Sequence, residues 1–256
     1  MHIFTMELWE IITAGIIIFL GGMVQSIIGF GYALFATPLL LWLGIPLQDV
    51  IVLVSTSSMI QACTGVMKLR DEVPWRLSIK ATVIRLLSLG LGLFFLKKLV
   101  GGSLTYVKIV IGGMLTLLVL VQLLYRPAPV KTTHPRWDLL AFIASGVIGG
   151  TCGMGGPPLV LWATAHDWSS EEVRGFLFAV FMTSIPVQLL LMGFTFGFSI
   201  LLNVVWGIVC LPLIYLGTSL ALPIGTRLGI EKLRLLTYIV LLVIGVSSMI
   251  AGFQVG

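Results

Sequence analysis

Two glycine motifs, one in each half of the chain, have the composition of an anion-binding site. They are Gly29-Phe30-Gly31 and Gly153-Met154-Gly155, and each is followed by proline and a short apolar stretch. Glycine lets a ligand approach backbone amides closely, and proline suits the first turn of a helix. A helix N-terminus carries free amide donors and about half a positive charge. The motifs therefore predict two helix N-termini that face a small oxyanion.

Hydroxyl and amide side chains recur at matching places in the two halves. A spacing of four residues puts Ser57 and Gln61 on one helix face, and Ser184 and Gln188 on another. Such donors would complete the coordination of an anion, or they would hydrogen-bond neighbouring helices. Their recurrence favours binding. The candidate polar ligands are Thr56, Ser57, Gln61, Thr183, Ser184 and Gln188.

Arg85 is the one basic residue well inside a predicted helix. Charges within a membrane segment are usually functional, but Arg85 is close enough to Lys80 for its side chain to extend to the membrane interface. We expect that interfacial position, with a role in admitting the substrate as the alternative. Cys152 is expected to be a small buried hydrophobe, and His166, in a loop, is expected to be solvated.

The elements that must position these residues are membrane helices. Hydrophobic residues make up 58% of the 256 residues and charged residues only 10%, against about 25% charged in soluble domains. Runs of 38 and 52 residues, after Glu10 and Arg174, contain no Asp, Glu, Lys or Arg. Because about 20 apolar residues span a bilayer, these runs must fold back inside it. This composition excludes a soluble enzyme, a disordered chain and a disulfide scaffold, and the alternating pattern of a β-barrel is absent.

Each half divides into one broken hairpin and three full transmembrane helices. We therefore predict an all-α polytopic fold with a first repeat at 1–126, a cytoplasmic linker at 127–136 and a second repeat at 137–256. The arms after the breaks, at about 32–43 and 159–165, are too short to span the bilayer as helices. The predicted segments are 8–28, 50–67, 77–96, 104–125, 137–151, 176–193, 200–220 and 233–251.

The two halves are predicted to be inverted repeats. Three motifs recur in the same order at offsets of 124, 120 and 127 residues. Five passes in each half, two of them partial, invert the second half relative to the first. Inverted repeats with broken helices are typical of secondary transporters, which hold substrate at the repeat interface. Gly90 and Gly92 lie outside these motifs and are expected to serve helix packing.

The distribution of Lys and Arg predicts the orientation. With the N-terminus outside, 12 of the 15 Lys and Arg residues lie on or near the cytoplasmic side, where such residues concentrate. The three exceptions are Lys97, Lys98 and Lys108. The formal net charge of +5 therefore follows from membrane topology, and no nucleic-acid partner is expected.

The duplicated glycine-proline motif resembles that of the TauE/SafE sulfite exporter family. The residues that carry the resemblance are Gly22, Gly29-Phe30-Gly31 and Pro38 in the first half, and Gly149-Gly150, 153–156 and Pro157-Pro158 in the second. The resemblance covers nearly the whole chain. It implies a multi-pass inner-membrane transporter for sulfite or organosulfonate-type anions, most simply an exporter. Neither composition nor spacing identifies that substrate.

Three alternatives stay open from the sequence. The fold would also suit a transporter of another small anion, or a passive anion channel with the same donors. A membrane-embedded enzyme would use Cys152, His166 and Asp167, although Cys152 lies at membrane depth and the other two lie in a loop. We expect a lipid bilayer and a small anion as partners, and no catalytic residue, metal or cofactor. The oligomeric state is undetermined, and a homo-oligomer is one option.

Overall fold

A computed structural model describes residues 7–28, 31–125, 130, 133–228 and 230–253. Short 3-10 turns at Arg70–Glu72 and Phe198–Leu202 accompany the α-helices of this part of the chain. The helices are α1 (Leu8–Ile28), α2 (Tyr32–Trp42), α3 (Leu47–Lys68), α4 (Trp75–Val100), α5 (Leu104–Leu124), α6 (Pro135–Cys152), α7 (Gly156–Thr164), α8 (Ser170–Phe196), α9 (Asn203–Val209), α10 (Leu211–Leu228) and α11 (Ile230–Phe253).

Six of the described helices are long and apolar enough to cross a membrane: α1, α3, α4, α5, α8 and α11. A seventh span is available if the segment Phe198–Val209 and the start of α10 act as one, with a bend of 42° between them. Large apolar side chains such as Leu87, Leu124 and Phe194 are more than 70% exposed on the outer faces, as expected for surfaces solvated by lipid. The chain is therefore an all-α polytopic membrane protein.

The two short arms occur close to their predicted positions. The first is α2, with 11 residues, and the second is α7, with 9 residues. Both are shorter than the roughly 20 residues that span a bilayer as a helix. The predicted segment at 200–220 differs from the structure, where a break at Cys210 separates α9 from α10 and α10 continues to Leu228.

The helices pack in a pattern that is unchanged when the two halves are exchanged. The most extensive contacts join α4 to α6, α5 to α11, α1 to α10 and α3 to α8. With α1–α5 matched in order to α6, α7, α8, the α9–α10 pair and α11, the α4–α6 contact corresponds to the α10–α1 contact. The other two pairs then correspond to themselves. The inverted orientation of the two repeats, and the boundaries drawn at 126 and 137, stay predictions.

Glycine allows the backbones of α4 and α6 to meet. A Cβ added at Gly92 would lie 2.4 Å from the carbonyl oxygen of Val147, and one at Gly146 would lie 2.3 Å from that of Arg85. The packing role predicted for Gly92 is therefore confirmed. The same prediction is wrong for Gly90, where a Cβ would meet nothing within 4 Å, because Gly90 faces away from α6.

Close approach also characterises the contact between α1 and α10. A Cβ at Gly22 would lie 2.6 Å from the carbonyl oxygen of Ile214, and one at Gly217 would lie 2.1 Å from that of Phe19. Gly22 and Gly146 are 124 residues apart, the same offset that relates the two glycine motifs. Both helix crossings therefore depend on small residues, which let membrane helices approach closely.

Candidate functional site

Both chain breaks contain a glycine in the left-handed region of backbone space. Gly31 has φ of 118° and immediately precedes α2, while Gly153 has φ of 76° and immediately follows α6. Residues with a Cβ rarely adopt this conformation, and glycine does so at no steric cost. The two glycines therefore end one helix direction and let the short arms start in another. Gly29 and Phe30 of the first motif lie outside the described residues.

A cavity lies between the two breaks, with both arms at its wall. It is lined by Gly31, Tyr32 and Ala33 at the start of α2, and by Gly156 and Pro157 at the start of α7. About 50 Å³ of this space is open to the centre of a water molecule, several times the roughly 10–15 Å³ that one water requires. The cavity therefore has room for a small ligand next to two helix N-termini.

Arg85 brings a positive charge to this cavity from α4. Its Nε donates to the hydroxyl of Ser145 at 3.2 Å, and Nη1 donates to the hydroxyl of Ser184. Nη2 donates to Oε1 of Gln188 at 3.4 Å, and the guanidinium lies 5.7 Å from the ring centre of Phe181. Three helices, α4, α6 and α8, thus fix the guanidinium at the cavity wall.

The expected interfacial position of Arg85 is wrong. Its side chain points into the protein, and the residue is only 3% exposed. The hydroxyls of α6 and α8 hold it there, in contacts that the sequence did not reveal. Within the described part of the chain, Arg85 forms no ion pair with a carboxylate. The described residues that line the cavity with it include no Asp or Glu.

Gln188 occupies the cavity wall with weak hydrogen bonds. Its Nε2 donates to the hydroxyl of Ser55 at 3.4 Å and to the carbonyl oxygen of Gly149 at 3.5 Å. Its Oε1 accepts from Arg85 at 3.4 Å. Protein hydrogen bonds with nitrogen donors are usually 2.7–3.2 Å long. The amide can therefore exchange these long contacts for shorter ones to a ligand at little cost.

Residues 14–248 match the family model described as sulfite exporter TauE/SafE. The chain belongs to the TauE/SafE family. Membership in this transporter family implies a membrane exporter of sulfite or a related anion. No curated protein and no solved structure matched the chain.

Five of the residues predicted for binding or substrate admission line the cavity of this TauE/SafE protein. They come from both halves of the sequence, which supports the prediction that the two motifs face one site. Gly155 lies beside the cavity wall, with its carbonyl oxygen accepting from Ser145 at 2.7 Å. The five cavity residues are Gly31, Arg85, Gly153, Met154 and Gln188.

The predicted hydroxyl and amide ligands other than Gln188 are not among the residues that line the cavity. Thr56 donates to the carbonyl oxygen of Val52, and Ser57 donates to those of Leu53 and Gly207, so both serve helix packing in this structure. Thr183 is 2.8 Å from the hydroxyl of Thr82 on α4. Ser184 acts indirectly, through Arg85, and Gln61 on α3 is not among the lining residues.

The cavity face of α3 is formed by neighbours of the predicted residues. Val54, Ser55 and Ser58 line the cavity, and their spacing of three and four places them on one helix face. Recurrence between the halves had singled out Thr56 and Ser57 instead, which face α9. If one cavity residue of α3 had been known, the helical spacing of three and four residues would have identified Ser55 and Ser58 as its neighbours on the same face.

The constellation considered for an enzyme is not assembled. Cys152 ends α6 and is buried, with its thiol 3.1 Å from the carbonyl oxygen of Ile148. His166 and Asp167 follow the far end of α7, which separates them from Cys152 by the length of that helix. His166 is not solvated as expected, because it is only 8% exposed, stacks on Trp168 and packs at a tilt against Trp162.

Proposed function

We propose that this protein is a secondary transporter that exports a small sulfur-containing anion, sulfite or an organosulfonate, across the inner membrane. The observation that carries the proposal is the buried guanidinium of Arg85 at the cavity wall, without a carboxylate partner in the described chain. A buried charge is costly unless it is paired. An anionic substrate would supply the missing charge each time it enters the cavity.

The surroundings of Arg85 suit an oxyanion in particular. A guanidinium presents several N–H donors in a plane, which matches the oxygens of sulfite or a sulfonate group. The N-termini of α2 and α7 add their partial positive charges and backbone donors. In α7 the donor is the amide of Gly156, because Pro157 and Pro158 have no N–H. The amide of Gln188 and the hydroxyl of Ser55 supply further donors without a competing negative charge.

Alternating access is the mechanism that the architecture favours. Secondary transporters hold substrate at broken helices between inverted repeats, and here both breaks border one cavity. The exchange of equivalent contacts between the halves is what two related repeats would produce. On this proposal the N-terminus lies outside. The C-terminal ends of α7 and α10, which are close in sequence to Arg174 and to Arg227, Lys232 and Arg234, face the cytoplasm.

Flux into proteoliposomes tests the proposal. Purified protein would be reconstituted, and uptake of sulfite, sulfate, thiosulfate, a small sulfonate and chloride compared with and without a pH gradient. We expect saturable flux of sulfite or the sulfonate, and counter-flow, which a passive channel would not show. Flux of another anion alone would keep the transporter and overturn its substrate. No flux of any of them in folded protein would overturn the proposed function.

Substitution of Arg85 tests the observation itself. Arg85→Gln keeps hydrogen-bonding capacity but removes the charge, and a hydrogen bond to a charged group contributes about 1.5–3 kcal/mol. Since about 1.4 kcal/mol is tenfold in affinity, we expect the half-saturation concentration to rise about ten- to a hundredfold. Lys98→Gln, on the same helix but outside the cavity, is the matched control and should transport normally. An unchanged half-saturation concentration in Arg85→Gln would show that the arginine does not bind the substrate.

A further inference from the structure

The walls of the cavity differ in polarity. Arg85 on α4, Gln188 on α8 and Ser55 on α3 form a row of hydrogen-bonding groups, and all three line the cavity. Nη2 of Arg85 donates to Oε1 of Gln188 at 3.4 Å, and Nε2 of Gln188 donates to the hydroxyl of Ser55 at 3.4 Å. The groups that would bind an anionic head therefore lie together along one wall.

Apolar side chains line much of the remaining surface. Arg85 is the only charged residue among the described lining residues, and Gln25 and Ser58, which also line the cavity, are neutral. No carboxylate in this part of the chain is therefore placed to pair with a cationic group of a ligand. The larger apolar lining residues are Leu34, Val54, Met154, Pro157, Phe181 and Ile185.

Helix α8 presents both kinds of surface on one face. Phe181, Ile185 and Gln188 are spaced by four and three residues, which places them on the same side of the helix. All three line the cavity, and Ile185 is buried. Ile185 is about 4.5 Å along the helix axis from Gln188. A short alkyl group on an anion held by Gln188 and Arg85 is therefore long enough to reach Ile185.

Sulfur oxyanions differ in what they would present to the apolar wall. Sulfite, sulfate and a sulfonate can each direct three oxygens towards the polar wall. On the opposite side of the sulfur atom, sulfite has a lone pair, sulfate has a fourth oxygen and a sulfonate has carbon. An oxygen that loses its water against apolar side chains without gaining a hydrogen bond is costly, whereas burial of a methylene is favourable. The fourth substituent therefore determines how well each anion fits the cavity.

We propose that the cavity selects a sulfonate that carries a short apolar group and no ammonium, with its anionic head at Arg85 and its apolar group against Ile185. This selectivity rests on the proposed function, since it concerns the same site, and it ranks the anions that the function leaves open. Sulfite binds more weakly, because it leaves the apolar wall without a partner. Sulfate and aminoalkyl sulfonates bind most weakly, because each places an unsatisfied polar or charged group there.

Binding to detergent-solubilised protein tests the selectivity directly. A ligand raises the unfolding temperature in proportion to its affinity and concentration, so titration at constant ionic strength gives a dissociation constant for each anion. Methanesulfonate, ethanesulfonate and 1-propanesulfonate add one methylene at a time, and we expect affinity to rise about fourfold at each step. Sulfite should bind more weakly than methanesulfonate, and sulfate should give no saturable shift.

A matched pair of ligands isolates the effect of charge on the apolar group. 1-Propanesulfonate and 2-aminoethanesulfonate have the same length and differ only at the far end, where one has a methyl group and the other an ammonium. Because the described lining offers no carboxylate, we expect the amino compound to bind more than about a hundredfold more weakly. Equal affinity of the two, or affinity that does not rise along the alkyl series, would overturn the proposal.

Ile185→Ala tests the residue assigned to the apolar group. The smaller side chain removes contacts with the end of the alkyl group, so 1-propanesulfonate should lose about three- to tenfold in affinity while methanesulfonate changes little. Val187→Ala, on the same helix but outside the cavity lining and 37% exposed, is the matched control and should bind the series normally. An equal loss for all sulfonates in Ile185→Ala would overturn the role of Ile185. If that variant does not fold, Leu34→Ala on α2 replaces it, and the ligand series on the unaltered protein still decides the selectivity.

Flux in proteoliposomes separates the selectivity from the proposed function. Saturable flux of 1-propanesulfonate with a lower half-saturation concentration than sulfite supports both. Saturable flux of sulfite without any preference for the sulfonate would keep the transporter and overturn the selectivity. If none of the anions is transported, the proposed function fails, and the binding series still decides which anion the cavity prefers. The absence of a saturable shift with every sulfonate would then overturn the selectivity as well.

Discussion

Replacing Gly155 by alanine perturbs the cavity wall through a single added methyl group. The backbone of Gly155 has φ of −73°, which alanine adopts without strain, so any effect must come from contacts. The added Cβ would lie 2.6 Å from the carbonyl oxygen of Ser145, 3.1 Å from Cα of Gly149 and 3.2 Å from Nη2 of Arg85. Two of these atoms belong to the backbone of α6, which cannot rotate away.

The size of the effect follows from these distances. Ordinary contact for a Cβ begins at 3.4 Å, so the start of α7 must move about 0.8 Å away from α6. The bond from Ser145 to the Gly155 carbonyl, now 2.7 Å, would lengthen to about 3.5 Å and be lost. Overpacking costs about 1–3 kcal/mol, and loss of a hydrogen bond about 0.5–1.5 kcal/mol. The guanidinium of Arg85, whose Nη2 would lie 3.2 Å from the added Cβ, would also be displaced from its position at the cavity wall.

Thermal unfolding and sulfite flux in proteoliposomes measure the two consequences. We expect a destabilisation of about 1–3 kcal/mol and a half-saturation concentration raised about five- to a hundredfold, at 1.4 kcal/mol for each factor of ten. Gly90→Ala is the control, because its Cβ would meet nothing within 4 Å, and it should be neutral or slightly stabilising. Wild-type stability and half-saturation in Gly155→Ala would show that α7 and α6 are not in the contact described here.

Two further predictions concern the glutamines at matching places in the two halves and the cysteine considered for a catalytic role. Gln188→Ala should raise the half-saturation concentration for sulfite about three- to tenfold, because the amide lines the cavity and a neutral hydrogen bond contributes about 0.5–1.5 kcal/mol. Gln61→Ala, at the matching place in the first half, should leave it unchanged, and equal effects in the two variants would contradict the observed cavity. Cys152→Ala should transport at nearly the wild-type rate, since the thiol packs against its own helix. Loss of all flux in folded Cys152→Ala would revive a chemical role for that thiol.

The membrane fold could be predicted from the sequence because the bilayer requires an apolar composition and long segments without charged residues. The positions of the two arms were predicted from the clustered glycines of the two motifs, which allow backbone conformations that end one helix and start another. The bend at Cys210 also has a signal in the sequence. Pro212 is the second residue of α10, where proline suits the first turn of a helix and cannot continue the preceding one.

The binding residues were less predictable because recurrence between halves reports shared packing as well as shared chemistry. Thr56 and Thr183 recur, and both donate to a carbonyl oxygen of their own helix, while Thr183 also contacts Thr82 on α4. Arg85 was hardest to interpret, because a cation near a helix end and a cation turned inward look alike in a sequence. What distinguishes them is the pair of hydroxyls on α6 and α8, which only the fold brings within reach.

The glycine contacts also predict which helices would move together during the proposed transport cycle. The backbones of α4 and α6 are in direct contact at Gly92, Gly146 and Gly150. Because no side chains lie between the two helices there, they cannot move past each other easily, and we expect them to move as one rigid body. Gly22 and Gly217 lock α1 and α10 into a second body in the same way. Each body takes one helix from each half of the sequence. In the proposed alternating-access cycle, the moving units would therefore be these two bodies and not the two halves. A chain cut at 126–136 would leave neither fragment with a complete moving body.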